Sequence, residues 1–393
     1  MSLENRFGRL SRPCACVLVV AMAAVVPVAG DDGEAVPEAM VAFARDIESS
    51  LSACETALFE SSIDFNALLL RGTADLEIPD EIRVELIGGV ARGFVLGEEI
   101  CKTVQRSGSY DLLKVRHVEG EPRALFRIVS DSGFNYHELL LATTADGEVA
   151  VIDLYVLSLG EWISQTARRG FLPFLAQLRA GSLDRMDAGE NLFVENLSAI
   201  LNMQQHYRQG DFEGALEVFD SMPEELKKHR NILMTRFAIA LQIGGEAYDA
   251  AMLDLKNNFP GDPGLDLVLV DYYFNEGRFD RALEIIDRID RWAGGDPYLD
   301  FMRANVLYAD GKTAAARTAA RRAIEREPGM EDPYWTLVSI SLDAGDFVET
   351  ARLLGEMEGE LGIAIGDLST IPEYSRFVES EAYGTWIATR TPR

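Results

Sequence analysis

Several chemistries lack their residues in this sequence. No CxxC pair, HExxH string, GxSxG elbow, GxxxxGK[ST] loop or GxGxxG fingerprint occurs. Dithiol redox, zinc-protease, serine-hydrolase and nucleotide-phosphate chemistry therefore have no motif to rest on. Histidine is scarce, with His117, His137, His206 and His229 in 393 residues. None has a second histidine or a cysteine one helical turn away, so neither a metal nor another cofactor is expected. Positive charge is scarce too: 37 Lys and Arg face 64 Asp and Glu, for a net charge of −27. Such a surface repels phosphate backbones and anionic headgroups, which excludes nucleic acid as the natural partner. Long apolar runs are also missing. The one from Cys14 to Val26 falls short of the roughly 20 residues that span a bilayer.

That short run sits where an export signal belongs. Arg6, Arg9 and Arg12 precede it, Pro27 breaks it, and Val28 and Gly30 place small residues before Asp31. Residues 1–30 are expected to be a signal peptide cut after Gly30, leaving a periplasmic or secreted protein with no membrane span. The cut removes three Arg and one Glu, taking the charge from −27 to about −29. Only Cys54 and Cys101 remain in the mature chain. In an oxidising compartment they can pair, and the closed loop of about 48 residues would contribute ~4 kcal/mol; two buried thiols are the alternative.

The first half reads as an α+β domain over 38–180. Residues 38–62 carry apolar side chains at helical spacing. The stretch 79–105 reads as a second helix, with Gly89, Gly93 and Gly97 on one face for close packing. The period then changes to two. Four strands are expected at Ser109–Glu119, Arg123–Ser130, Phe134–Thr144 and Glu148–Leu157, followed by a helix Glu161–Ala180. Asp146-Gly147 predicts a two-residue hairpin turn pairing Ala145 with Glu148, Leu140 with Asp153 and Glu138 with Tyr155. One hairpin face, Leu139, Leu141, Ala150, Ile152, Leu154 and Val156, is a core face, and His137 alternates onto it. The other face carries Tyr136, Glu138, Leu140, Asp153 and Tyr155. The expected antiparallel sheet with helices against one face resembles in outline the NTF2-like and cystatin-like arrangements.

The second half repeats itself. Gly210, Gly244, Gly277, Gly311 and Gly345 follow one another at steps of 33 or 34 residues. Each glycine lies between two amphipathic stretches, where a left-handed residue ends the first helix. Ala215, Ala282 and Ala316 lie five residues beyond their glycines, small enough for the second helix to lie close against the first. One such hairpin cannot bury its apolar face alone, so neighbours must stack.

These residues resemble the tetratricopeptide-repeat family. Over 297–330, Ala304, Leu307, Gly311, Ala316, Ala323 and Pro328 occupy the family's small, large, turn, small, small and proline places. Thr350 departs from the pattern, and 230–262 is degenerate around Gly244-Gly245. The resemblance implies five helix pairs over 190–364, at roughly 196–229, 230–262, 263–296, 297–330 and 331–364, followed by a capping segment over 365–393. The family lines a groove with the first helix of each pair. Here that points to Asp271 and Phe274, to Phe301, Asn305 and Tyr308, and to Trp335 and Ser339, an aromatic and acidic lining suited to a basic or apolar polypeptide segment.

The expected function is an exported interaction scaffold of the cell envelope. The alternative is a small-ligand or isomerase-like module in the first domain, where Glu138, Asp153 and Tyr155 would do the acid–base work and the repeats would serve for docking.

Overall fold

The structure is a computed structural model that describes residues 35–76, 78–131, 133–178 and 188–390. The signal expected over 1–30 lies outside them. The described residues fall into two compact units divided between Leu267 and Val268. Among them, no helix is long and apolar enough to cross a membrane.

The first unit opens with five helices: α1 (Glu38–Ser52), α2 (Ala57–Ser61), α3 (Phe65–Gly72), α4 (Asp80–Gly93) and α5 (Leu96–Gln105). The periodic pattern over 38–62 is broken at Cys54, whose φ of 61° lies outside helical space. The single helix expected over 79–105 is two helices, because Phe94 turns extended. Glycine contributes little to helix persistence, and three in one stretch let the chain break. The three-glycine packing face is lost with it: Gly89 and Gly93 border open space, and only Gly97 packs, against Thr56 and Phe59 of the α2 segment. Cys54 and Cys101 are joined as a disulfide with their Cα atoms 4.9 Å apart, tying the end of α1 to α5.

The sheet follows as an antiparallel meander of β1 (Ser109–Val118), β2 (Glu121–Ser130), β3 (Gly133–Thr143), β4 (Val149–Val156) and β5 (Glu161–Trp162). It has five strands where four are expected. Glu161 and Trp162 pair with Val156 and Tyr155, so the next helix, α6 (Ile163–Leu178), starts two residues late. Leu140 faces Asp153 and Glu138 faces Tyr155 as expected, yet the turn is different. Thr144 N–H donates to Glu148 at 2.8 Å, closing a three-residue loop with Gly147 at φ 86°. One extra loop residue would flip every later side chain of β4. A bulge at Ile152 absorbs it, so Val151 takes the core place expected of Ile152.

One sheet face packs on α1 through Met40, Ala44, Ile47 and Leu51, together with Phe126, Leu139, Leu141, Val151, Leu154 and Val156. The period-four apolar spacing of α1 and the period-two spacing of the strands meet in this single core. His137 is buried on the same side, beside Tyr110.

The unit continues with α7 (Ala188–Glu195), α8 (Leu197–Gln209), α9 (Phe212–Ser221), α10 (Glu224–Lys227), α11 (Arg230–Ile243) and α12 (Gly245–Asn258). It thus includes the first two helix pairs, beyond the boundary expected near residue 180. Arg230, buried at the start of α11, is the tie. Its guanidinium donates to the Leu159 carbonyl and forms an ion pair with Asp262 at 3.0 Å. Gly160, at φ 68°, admits it: a Cβ there would collide with the guanidinium.

The second unit begins inside α13 (Pro263–Asn275) and continues with α14 (Phe279–Ala293), α15 (Pro297–Ala309), α16 (Thr313–Arg326), α17 (Asp332–Ala344) and α18 (Phe347–Gly359). Across both units, all five repeating glycines have positive φ, from 65° to 78°. Ala215, Ala282 and Ala316 are fully buried, and so is the irregular Thr350. Its hydroxyl is satisfied by Ser341 Oγ at 2.8 Å and the Asp346 carbonyl at 3.1 Å, so a polar residue replaces alanine without an orphaned group. After α18, two short 3-10 turns lead to α19 (Ser375–Val378) and α20 (Glu381–Thr389). Tyr374, Phe377 and Trp386 bury against Leu353, Leu354 and Met357, closing the apolar face that a last repeat would otherwise expose.

Candidate protein-binding groove

The second unit presents first helices α13, α15 and α17 in succession. Proline and an acidic residue in the first turn of α15 and α17 start each helix, and the buried Asp296 caps α15 through the Tyr298 N–H at 2.9 Å. Asp271, Asn305 and Ser339 recur at 34-residue intervals along these helices, as do Phe274 and Tyr308, and Phe301 and Trp335. All seven are half-buried, neither packed away nor fully in water.

The structure links several of them. Tyr308 donates its hydroxyl to Asp343, and Thr336 donates to Asn305 Oδ1 at 2.9 Å, so these residues of α15 are bonded to α17. Ser339 turns back to the Trp335 carbonyl at 3.0 Å. Phe274 and Phe301 make edge-on ring contacts with Phe279 and Tyr298. Burial and the Asp343 carboxylate push the Tyr308 hydroxyl above its ordinary value, so it stays a neutral donor. Asp271 differs from its two counterparts. It has no hydrogen bond or ion pair among the described residues, and burial pushes its carboxyl up to about 7.

Sequence reasoning missed Thr336 and Asp343. Asp343 stands one helical turn beyond Ser339, so helical spacing alone was enough to add it to the same face. It also missed the carboxylate hub beneath. Asp300 is fully buried and takes donors from Arg303 at 2.6 Å, from Arg326 at 2.9 Å and from Arg322. Arg322 and Arg326 are one turn apart on α16, so the hub fastens α15 to α16.

The other candidate set lies on the second face of the sheet, in the first unit. Glu138, Asp153 and Tyr155, the set named above for acid–base work, are all buried. The physical reason is a layer of arginines. Arg116 meets Glu138 at 2.6 Å, with both side chains only 2% exposed, and Arg123 reaches it at 3.4 Å. Asp153 accepts from Ser164 Oγ at 2.5 Å, from the Ser164 and Leu154 N–H groups, and from Arg71 at 3.3 Å. Burial raises its pKa and these donors oppose the shift. Tyr155, raised by burial and by the Asp262 carboxylate, packs edge-on against Trp162. Arg71 and Arg123 lie over the same indole at 5.7 and 5.0 Å. Each carboxylate is thus already engaged by the protein's own cations.

Comparison with known proteins agrees with the geometry of the second unit. None of the curated proteins compared with this chain matches it. A tetratricopeptide-repeat family model matches residues 297–322, which cover α15, the Gly311 turn and most of α16. Residues 297–322 are a tetratricopeptide repeat, and the run of helix pairs around them is of tetratricopeptide type.

Proposed function

We propose that this protein is exported and serves in the cell envelope as a scaffold, holding a basic or apolar polypeptide segment in the groove between Phe301, Tyr308 and Trp335. A role in protein–protein interaction follows from the repeat itself. The observation that carries the choice of face is the row of half-buried aromatic side chains recurring along successive first helices. Aromatic rings supply large contact area at low entropic cost and dominate binding energy where they cluster. The net charge of −27 favours a basic segment over an acidic one. Export has its own support: an arginine-led apolar run of signal-peptide length, and a Cys54–Cys101 disulfide of the sort that persists outside reducing compartments.

Two measurements test the reading. The full chain, immobilised and incubated with envelope extract, should capture a partner that the Tyr308→Ala/Trp335→Ala double variant releases at least about tenfold more readily. Equal capture by both would remove this face from binding. Mass spectrometry of the protein from its native host should find an N-terminus at Asp31; an intact Met1 terminus on a cytosolic protein would end the export proposal.

A further inference from the structure

Three buried carboxylates among the described residues are compensated by a cation: Glu138 by Arg116, Glu161 by Arg169 at 2.5 Å, Asp300 by Arg303. Such pairing is the general rule, because an ionised carboxylate withdrawn from water is costly unless a cation and hydrogen bonds replace the lost hydration. Asp271 breaks the rule, being half-buried and unpartnered among the described residues. Of the three equivalent groove positions, Asn305 is engaged by Thr336 and Ser339 by the Trp335 carbonyl. Asp271 alone retains its full accepting capacity.

We infer that Asp271 is the anchor that receives a lysine or arginine side chain of the polypeptide segment held in the groove. The inference rests on the groove reading above and narrows its partner from basic or apolar to basic. Three observations agree on this chemistry. The carboxylate lacks an internal cation, so an incoming one supplies the missing compensation. Phe274, one turn along α13, and the rings of Phe301, Tyr308 and Trp335 offer apolar faces of the kind that receive the aliphatic stem of such a side chain, whose charged end seeks an acceptor. A chain of net charge −27 attracts basic segments before contact. The carboxyl's rise to about 7 is what an uncompensated, partly desolvated acid shows, and a bound ammonium or guanidinium would reverse it.

A random-peptide display library selected on the immobilised full-length chain tests this, with Asp271→Asn and Tyr308→Ala/Trp335→Ala run in parallel. Circular dichroism and thermal melting confirm that each variant is folded. Peptides selected on the parent chain should share a lysine or arginine at one position. Replacing that residue by norleucine should weaken binding about tenfold on the parent chain and less than about twofold on Asp271→Asn. A basic preference that survives in Asp271→Asn, or selected peptides with no shared basic position, overturns the anchor while leaving the groove intact. Peptides that bind Tyr308→Ala/Trp335→Ala as well as the parent chain, or a parent chain that selects none, overturn the groove and the anchor together.

Discussion

The second face of the sheet and the repeating first-helix face of the C-terminal unit treat charge in opposite ways. In the first, arginines and carboxylates are drawn into the second face of the sheet and neutralise one another there. In the second, the alanine-rich helix pairs pack through small side chains, and Asp271 is left without a partner among the described residues on the face that repeats. A face whose buried polar groups satisfy one another is stabilised from within, whereas an unpartnered, partly desolvated acid carries an uncompensated cost. Residues that look equally polar in the sequence, Glu138 and Asp271, therefore end in opposite surroundings.

The contrast can be broken most directly at Glu138. Glu138→Gln leaves Arg116 buried without its charge partner and should cost about 3–5 kcal/mol in urea unfolding of the sheet unit. A loss under about 1 kcal/mol would mean that the layer is wet and open. Asp300→Asn should cost less, about 1–3 kcal/mol, because Arg322 and Arg326 keep water contact at 51% and 39% exposure.

Acidity should separate the units further. His137 is held neutral by burial, its pKa lowered from 6.5 to about 4. The unfolded chain takes up a proton first, so this contribution is complete above pH 6.5 and lost as pH falls towards 4. It amounts to about 3 kcal/mol, and His137→Phe should abolish it in unfolding curves measured across that range. Asp271 runs the other way. With its pKa raised from 3.8 to about 7, its contribution is complete below pH 3.8 and lost as pH rises through 7. Asp271→Asn should therefore stabilise the repeat unit by about 1–2 kcal/mol at pH 8, after allowance for its partial exposure, and should change little at pH 4. Equal effects at both pH values would show that Asp271 is solvated. The smallest stability effect belongs to the groove aromatics: Trp335→Ala should cost no more than about 1–2 kcal/mol in melting experiments yet remove most binding. A collapse of the fold would make Trp335 a core residue.

Much of the repeat region was legible in the sequence because its signals are local. A glycine between two amphipathic stretches states a backbone requirement, and Gly210, Gly244, Gly277, Gly311 and Gly345 all adopt the positive φ it implies. The hairpin pairs Leu140–Asp153 and Glu138–Tyr155 were legible for the same reason. The bulge at Ile152 was not, because period two is the same on either side of an inserted residue and only packing against α1 decides which neighbour turns inward. Arg230 gave no sign of its role either. Its partners, Leu159 and Asp262, lie 71 and 32 residues away.

By itself, then, the sequence determined most of the element types and the spacing of the helix pairs, since these depend on neighbours within a turn or two. Tertiary structure alone decided which charges are compensated. It placed Arg116 and Arg123 over Glu138, joined the first two helix pairs to the sheet unit through Arg230, and brought no cation from the described residues to Asp271. Whether a carboxylate is satisfied depends on groups that arrive from distant parts of the chain, and that arrival is a property of the folded packing.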